Sequence, residues 1–287
     1  MFTKAIRFLK SLRSHNYLAI ALTRAAATAP LRNIDPKRPD TWEFRAFSQH
    51  GEDGILDYLT SRLLKSSRNF VEIGIGDGTE NNSAWFVLAK YYRGVMIDGN
   101  AEGVSWAKYI LQPKNCGVRI EHCFVTVETI QKVIGMMGEE SDADFLSLDI
   151  DGNDYWIAKA LLEARIRPNI WVVEYNSAFG PLRSLTIPYK STFAVKQGFG
   201  SSLYSGCSIS AWRKLMARYD YQFVTVENTG TNAFFVKRSA FQSEFLKDIQ
   251  GVEFRESFSH KREYGVSWAE QFKLLEKYEL VEVELNV

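Results

Sequence analysis

Cysteine is scarce. Three stand in 287 residues, Cys116, Cys123 and Cys207, and no two form a Cys-x-x-Cys pair. That excludes a disulfide scaffold and a structural zinc site of the usual spacing, and it fits a reducing compartment. Long hydrophobic runs are missing too: none approaches the ~18 residues of a membrane-spanning helix. Neither sign of charge dominates, with 35 Lys and Arg against 34 Asp and Glu. A net charge of +1 leaves no footprint for nucleic acid as a partner. The composition that remains is 46% hydrophobic and 14% aromatic, which excludes a disordered or collagen-like chain. The expected residence is the cytoplasm, at most peripheral to a membrane.

One absence is local. Residues 1–34 hold no acid and six bases, Lys4, Arg7, Lys10, Arg13, Arg24 and Arg32. Phe2, Ile6, Leu9 and Leu12 recur at helical spacing, with Lys4, Arg7 and Lys10 on the other side. A short basic amphipathic helix of this kind lies on an anionic membrane surface, serves as a targeting peptide, or packs on the domain. A secretory signal is disfavoured, because the apolar stretch 17–22 is short and Arg24 follows it. Pro30, Pro36 and Pro39 mark a linker. Residues 1–40 thus read as an extension, 41–240 as the main domain, and 241–287 as a C-terminal extension packing on it.

Within the main domain, apolar strands alternate with helices of about ten residues. Strands are expected at 70–75, 94–97, 118–125, 144–150 and 169–175. Helices are expected at 48–64 with Ser48 as cap, 80–92, 101–111, 127–136 and 154–164. This alternation predicts an α/β fold, a doubly wound, mostly parallel sheet with right-handed crossovers. Residues 177–205 carry aromatics and glycines but no clear element, as expected of a binding loop. A helix at 208–219 and an antiparallel hairpin at 221–227 and 232–237 close the domain.

The strongest local motif is Val71-Glu72-Ile73-Gly74-Ile75-Gly76-Asp77-Gly78-Thr79-Glu80-Asn81, between the first strand and the next helix. Glycines there let the backbone turn sharply and approach a ligand. The spacing is Gly-x-Gly-x-Gly and not the dinucleotide Gly-x-Gly-x-x-Gly, since Thr79 holds the third position. The acid Glu72 suits a cationic amino-acid end better than a pyrophosphate. Asp98 ends the second strand, where an acid can accept from both ribose hydroxyls. It can equally be a turn residue before Gly99 and Asn100.

Four further segments extend the pattern: Ser48-Gln49-His50-Gly51-Glu52-Asp53-Gly54, Leu148-Asp149-Ile150-Asp151-Gly152-Asn153-Asp154-Tyr155-Trp156, Val173-Glu174-Tyr175-Asn176 and Gly230-Thr231-Asn232-Ala233-Phe234-Phe235-Val236. In this order, over roughly residues 45–240, the chain resembles the FkbM-type methyltransferase family. The resemblance implies a class I, Rossmann-like methyltransferase fold with seven strands, one of them antiparallel. It implies S-adenosylmethionine as cofactor, held by Glu72, Gly74, Gly76, Gly78, Asn81 and Asp98. It implies O-methylation of a sugar, glycan or other secondary metabolite. A non-catalytic methyltransferase-like assembly module is the alternative.

The second constellation is acidic. Asp149 and Asp151 lie two apart at the end of the fourth strand, and Glu174 ends the fifth. In this fold those strands are neighbours, so the carboxylates converge at the edge where ligands bind. Crowded carboxylates repel unless a cation or a shared proton compensates. With Asn153 or Asn176 nearby, hard oxygen ligands suit magnesium, manganese or calcium. The placement resembles metal-dependent sugar O-methyltransferases related to the family. Without a metal, Asp149 or Glu174 is the candidate general base. Asp154 is the expected cap of the helix that follows. Tyr189, Lys190, Phe193, Lys196 and Phe199 are the candidate acceptor-facing residues.

Overall fold

The computed structural model describes residues 16–138, 142–195 and 202–284. The seven-stranded sheet consists of β1 (Asn69–Ile73), β2 (Arg93–Asp98), β3 (Val118–His122), β4 (Phe145–Leu148), β5 (Ile170–Glu174), β7 (Tyr221–Val226) and β8 (Asn232–Lys237). Its order is β3-β2-β1-β4-β5-β8-β7. All pairs from β3 to β5 are parallel, and β8 runs antiparallel to both neighbours. This is the expected doubly wound, mostly parallel sheet of the class I methyltransferase fold. The order reverses between β1 and β4, which opens a crevice at their carboxyl ends.

Strand alternation divides the core in two. Val71, Ile73, Leu146, Leu148, Trp171 and Val173 point to one face. There they meet α5 (Ile130–Met137), α6 (Asp154–Glu163) and α7 (Ile209–Ala217). Phe70, Met96, Phe145, Ile170 and Val172 point to the other. Their partners are α2 (Glu52–Ser61), α3 (Ala84–Leu88), α4 (Ala101–Leu111) and α8 (Ser243–Asp248). Strands buried on both faces read as continuous apolar runs, which is why they were visible in the sequence.

Several boundaries differ from expectation, each for a local reason. Gly51, not Ser48, holds the N-cap position of α2, without a side-chain bond, but the Ser48 hydroxyl still accepts from the first-turn amide of Asp53. The Asp53 carboxylate in turn accepts from the amides of Ala46, Phe47 and Ser48, folding the preceding loop around itself. The helix expected at 80–92 shortens to α3, because Glu72 and Asn81 capture the amides of residues 82–84. Asp154 does not cap α6 either. Its two oxygens accept from the amides of Ile150 and Gly152 and so tie down the loop after β4.

The segment after β5 and the tail form one structure. β6 (Leu185–Thr186) pairs antiparallel with β9 (Val281–Glu282). Phe179, Leu185, Ile187 and Leu203 pack with residues of α9 (Phe258–Tyr264) and α10 (Trp268–Leu275). Residues 16–28 form helix α1. The amphipathic stretch expected at 2–12 lies outside the described residues, as do Lys196 and Phe199.

Candidate active site

A cavity of about 680 Å³ opens at the carboxyl edge of the sheet. Such a volume lies within the roughly 300–1,000 Å³ of small-molecule sites. Two walls of different chemistry face each other across it.

The first wall is the glycine loop after β1. Gly74 has φ +89°, and a Cβ there would run into the carbonyl of Asp149. Glycine therefore permits the loops after β1 and β4 to touch, which joins the two halves of the site. Gly76, at φ +56°, has open space where a side chain would stand. Asp98 locks this wall. One oxygen accepts from Gly76 N at 2.7 Å, the other from Asn100 N at 2.7 Å. Each oxygen keeps a second lone pair, and Asp98 lines the cavity. Asn100 then caps α4 by accepting from the amides of Glu102 and Gly103.

Three expected cofactor residues stand behind this wall. Glu72 does not face the cavity. Its oxygens accept from the amides of Asn82 and Ser83 and from the Ser83 hydroxyl. Burial raises its carboxyl to about 7 against the pull of those donors. It therefore shapes the loop and is not placed to meet a ligand's ammonium directly. Gly78 packs on Ala107 of α4. Asn81 accepts from the first amide of α3 through its Oδ1, while its buried Nδ2 has no hydrogen-bond partner among the described residues. Phe124 was not singled out in the sequence. Its position within the expected strand at 118–125 concealed it. β3 stops at His122, and the Phe124 ring lies against Gly99, 58% exposed at the cavity.

The second wall is acidic. Asp149, Asp151 and Glu174 each offer a carboxylate oxygen within 4.8 Å of the others. Asp149 and Glu174 are half-buried, enclosed by protein except on the cavity side, and Asp151 is exposed at the rim. Burial drives the Asp149 carboxyl well above its usual range, and the charges of Asp151 and Asp154 add to it. Glu174 moves the same way, through burial and then the charges of Asp149, Asp151 and Asp154. Burial, with the charge of Asp98, raises Asp151 as well. Among the described residues, no Lys or Arg forms an ion pair with any of the three. A cluster of oxygen donors at a cavity wall without a paired Lys or Arg suits a hard divalent cation. Asp151 sits at φ +55°, a backbone conformation that turns this loop back on itself.

Asn176 does not join the cluster. Its Oδ1 accepts from Ala178 N, and its Nδ2 donates to the carbonyls of Leu203 and Ser205. Asn153 lines the cavity and donates from Nδ2 to the Lys190 carbonyl at 2.8 Å. Trp156 donates to the Ile187 carbonyl, and Tyr189 to Glu128. These bonds hold the segment around 187–193 over the acidic wall, with the Phe193 ring against Gly152 at the cavity. Gln49 and Thr231 complete the rim. His50 lies beside Thr231, its Nε2 at 3.5 Å from the hydroxyl, and is not in the cavity wall.

No family model matches the chain, and no curated protein does. Solved structures show distant likenesses. An O-methyltransferase from Bacillus cereus in complex with SAH is 15% identical; the match covers 77% of this chain and 89% of that one, with a TM-score of 0.45. The O-methyltransferase TomG from Streptomyces achromogenes, involved in tomaymycin synthesis and in complex with SAM, is 14% identical. That match covers 77% of this chain and 96% of TomG, with a TM-score of 0.44. The carbon methyltransferase CurJ is 12% identical, over 82% of this chain and 70% of that one, with a TM-score of 0.42.

Proposed function

We propose that this chain is an S-adenosylmethionine-dependent O-methyltransferase of the FkbM type, acting on a hydroxyl of a sugar, glycan or secondary metabolite with the help of a divalent ion. The observation that carries this reading is the single cavity shared by the Gly74–Gly76 loop with Asp98 and by the acids Asp149, Asp151 and Glu174.

The residues fit both absent groups. On the cofactor side, Asp98 has acceptor capacity for ribose hydroxyls, the open flank of Gly76 admits a ligand, and Phe124 offers a ring face for a base. The unpartnered Asn81 amide is a spare donor behind the loop. Bound there, the cofactor supplies an electrophilic methyl on its sulfonium. On the acceptor side, Asp149, Asp151 and Glu174 would hold magnesium or manganese, and the ion would supply Lewis acidity towards the acceptor hydroxyl. The chain's own part is alignment and proton handling. The contact of Gly74 with the Asp149 carbonyl fixes the distance between the two walls. Burial and neighbouring charge raise the proton affinity of Asp149 and Glu174, so without a metal one of the two is the base that takes the acceptor's proton. Asn153, Tyr189 and Phe193 hold residues 187–193 beside that place, which limits water and contributes to the acceptor wall.

The test is calorimetry of the purified protein with S-adenosylmethionine, with and without Mg²⁺ or Mn²⁺, followed by transfer of labelled methyl to a panel of sugar acceptors. Cofactor binding together with metal-dependent transfer supports the reading. Absence of cofactor binding in every condition overturns it.

A further inference from the structure

Helix α1 has two faces of unlike character. Its inner face carries Tyr17, Leu18, Ala21, Arg24, Ala25 and Thr28, which are buried or half-buried. They pack on Phe44, Phe47, Ala84 and Trp85. This face also grips the cofactor loop. The Tyr17 hydroxyl donates to the Gly78 carbonyl at 3.4 Å, and Arg24 pairs with Glu80 at 2.9 Å. Arg24, the one charged residue of residues 16–28, is therefore turned towards the domain.

The outer face is exposed and uncharged. Ile20, 51% exposed, and Leu22, 71% exposed, stand at its two edges, with Ala19, Thr23, Ala26 and Ala27 between them. Beyond the helix, Leu31 is 81% exposed. A helix face turned to water normally carries charge. The sequence immediately before this face supplies charge of one sign only, Lys4, Arg7, Lys10 and Arg13, with no acid before Asp35. An apolar face beside an all-basic stretch is complementary to a surface that is apolar inside and negative outside.

We propose that the outer face of α1 docks the protein on an anionic lipid surface, with Ile20, Leu22 and Leu31 entering the headgroup boundary and the N-terminal bases meeting lipid phosphates. The inner face keeps its hold on the cofactor loop, so docking leaves the cavity assembled. The proposal does not depend on methyl transfer.

The test is co-sedimentation of the full chain with vesicles of phosphatidylcholine alone and of equimolar phosphatidylcholine and phosphatidylglycerol, at low and high salt. The expected result is retention by the anionic vesicles only, weakened by salt. The double variant Ile20→Glu, Leu22→Glu should bind about tenfold less or weaker still. Both side chains are exposed, so its melting temperature should match the wild type and certify the fold. Four results overturn the proposal: retention by neither vesicle, equal retention by both, a double variant that binds like wild type, or a wild-type dimer that the double variant converts to monomer. The last would assign the face to a second copy of this chain.

Discussion

Two groups of acids stand at one edge of the sheet, where Glu174 of β5 pairs with Asn232 of β8, and they are treated differently. Around the β7–β8 turn stand Glu43, Glu52 and Glu227. Glu227 accepts from the amides of Thr229, Thr231 and Asn232. Glu52 accepts from the His50 amide and the Asn232 side chain, and Glu43 from the backbone and side chain of Asn228. Each of these carboxylates is surrounded by N–H donors that the fold itself supplies. At the ends of β4 and β5, Asp149 has one such donor, the amide of Asp151, and otherwise faces Glu174. A buried acid with donors closes a turn; a buried acid without them asks for a cation or a proton. The contrast separates framework from site more sharply than acidity does.

Breaking the acidic wall should give the largest effect. Asp149→Asn is expected to lower Mn²⁺ affinity by more than the ~10–100-fold that a supporting residue costs, read by calorimetry. The same change should raise the melting temperature of metal-free protein, because it removes one of the mutually repelling charges. A lower melting temperature would mean that Asp149 is framework after all. On the opposite wall, Asp98→Ala should weaken S-adenosylmethionine binding by roughly 10–100-fold, the value of about 1.5–3 kcal/mol for hydrogen bonds to a charged group. Mn²⁺ affinity should fall far less, through the lost charge of Asp98 near Asp151 alone.

Two framework changes sharpen the comparison from the other side. Glu72→Gln places an amide group against the N–H donors of residues 82 and 83, so it should destabilise the protein by about 1–3 kcal/mol in denaturant melts. That is the opposite sign to Asp149→Asn. The smallest effect is expected at Glu43. Burial raises its carboxyl to about 8, and the charges of Glu227 and Glu52 add to that. Folded protein therefore binds more protons than unfolded protein between the ordinary glutamate range and about pH 8. The contribution is fully present at low pH and is lost as pH rises through about 8. Glu43→Gln should flatten the fall of melting temperature over that window, with little change near pH 5 and a gain at pH 8.

The sheet and the glycine loop were legible because their signals are local. Strand, turn and helix follow one another within a few residues from Val71 to Asn82. The convergence of Asp149, Asp151 and Glu174 was legible for a related reason. Strand ends carry them, and the neighbouring places of β4 and β5 come with the fold that the resemblance implies. What stayed hidden depends on partners far along the chain. Nothing near Glu72 shows that its acid will be taken by the amides of residues 82 and 83. Tyr17 reaches Gly78 across 61 residues, and the Asn153 side chain meets Lys190 across 37. Phe124 was concealed by a boundary error of three residues in β3, which turned an exposed ring into a notional strand residue.

The pairing of β6 with β9 also has a consequence in time. Leu185 and Glu282 are partners roughly a hundred residues apart, and a ribosome adds about 5–20 residues per second. β1 to β4, which carry the glycine loop and Asp149, emerge before β6, while the strand that pins β6 arrives on the order of ten seconds after it. A nascent chain thus completes its glycine-loop side first and must leave the β9-facing edge of Leu185 and Thr186 unpaired in the interval. Chaperone protection during synthesis is expected to concentrate on that segment.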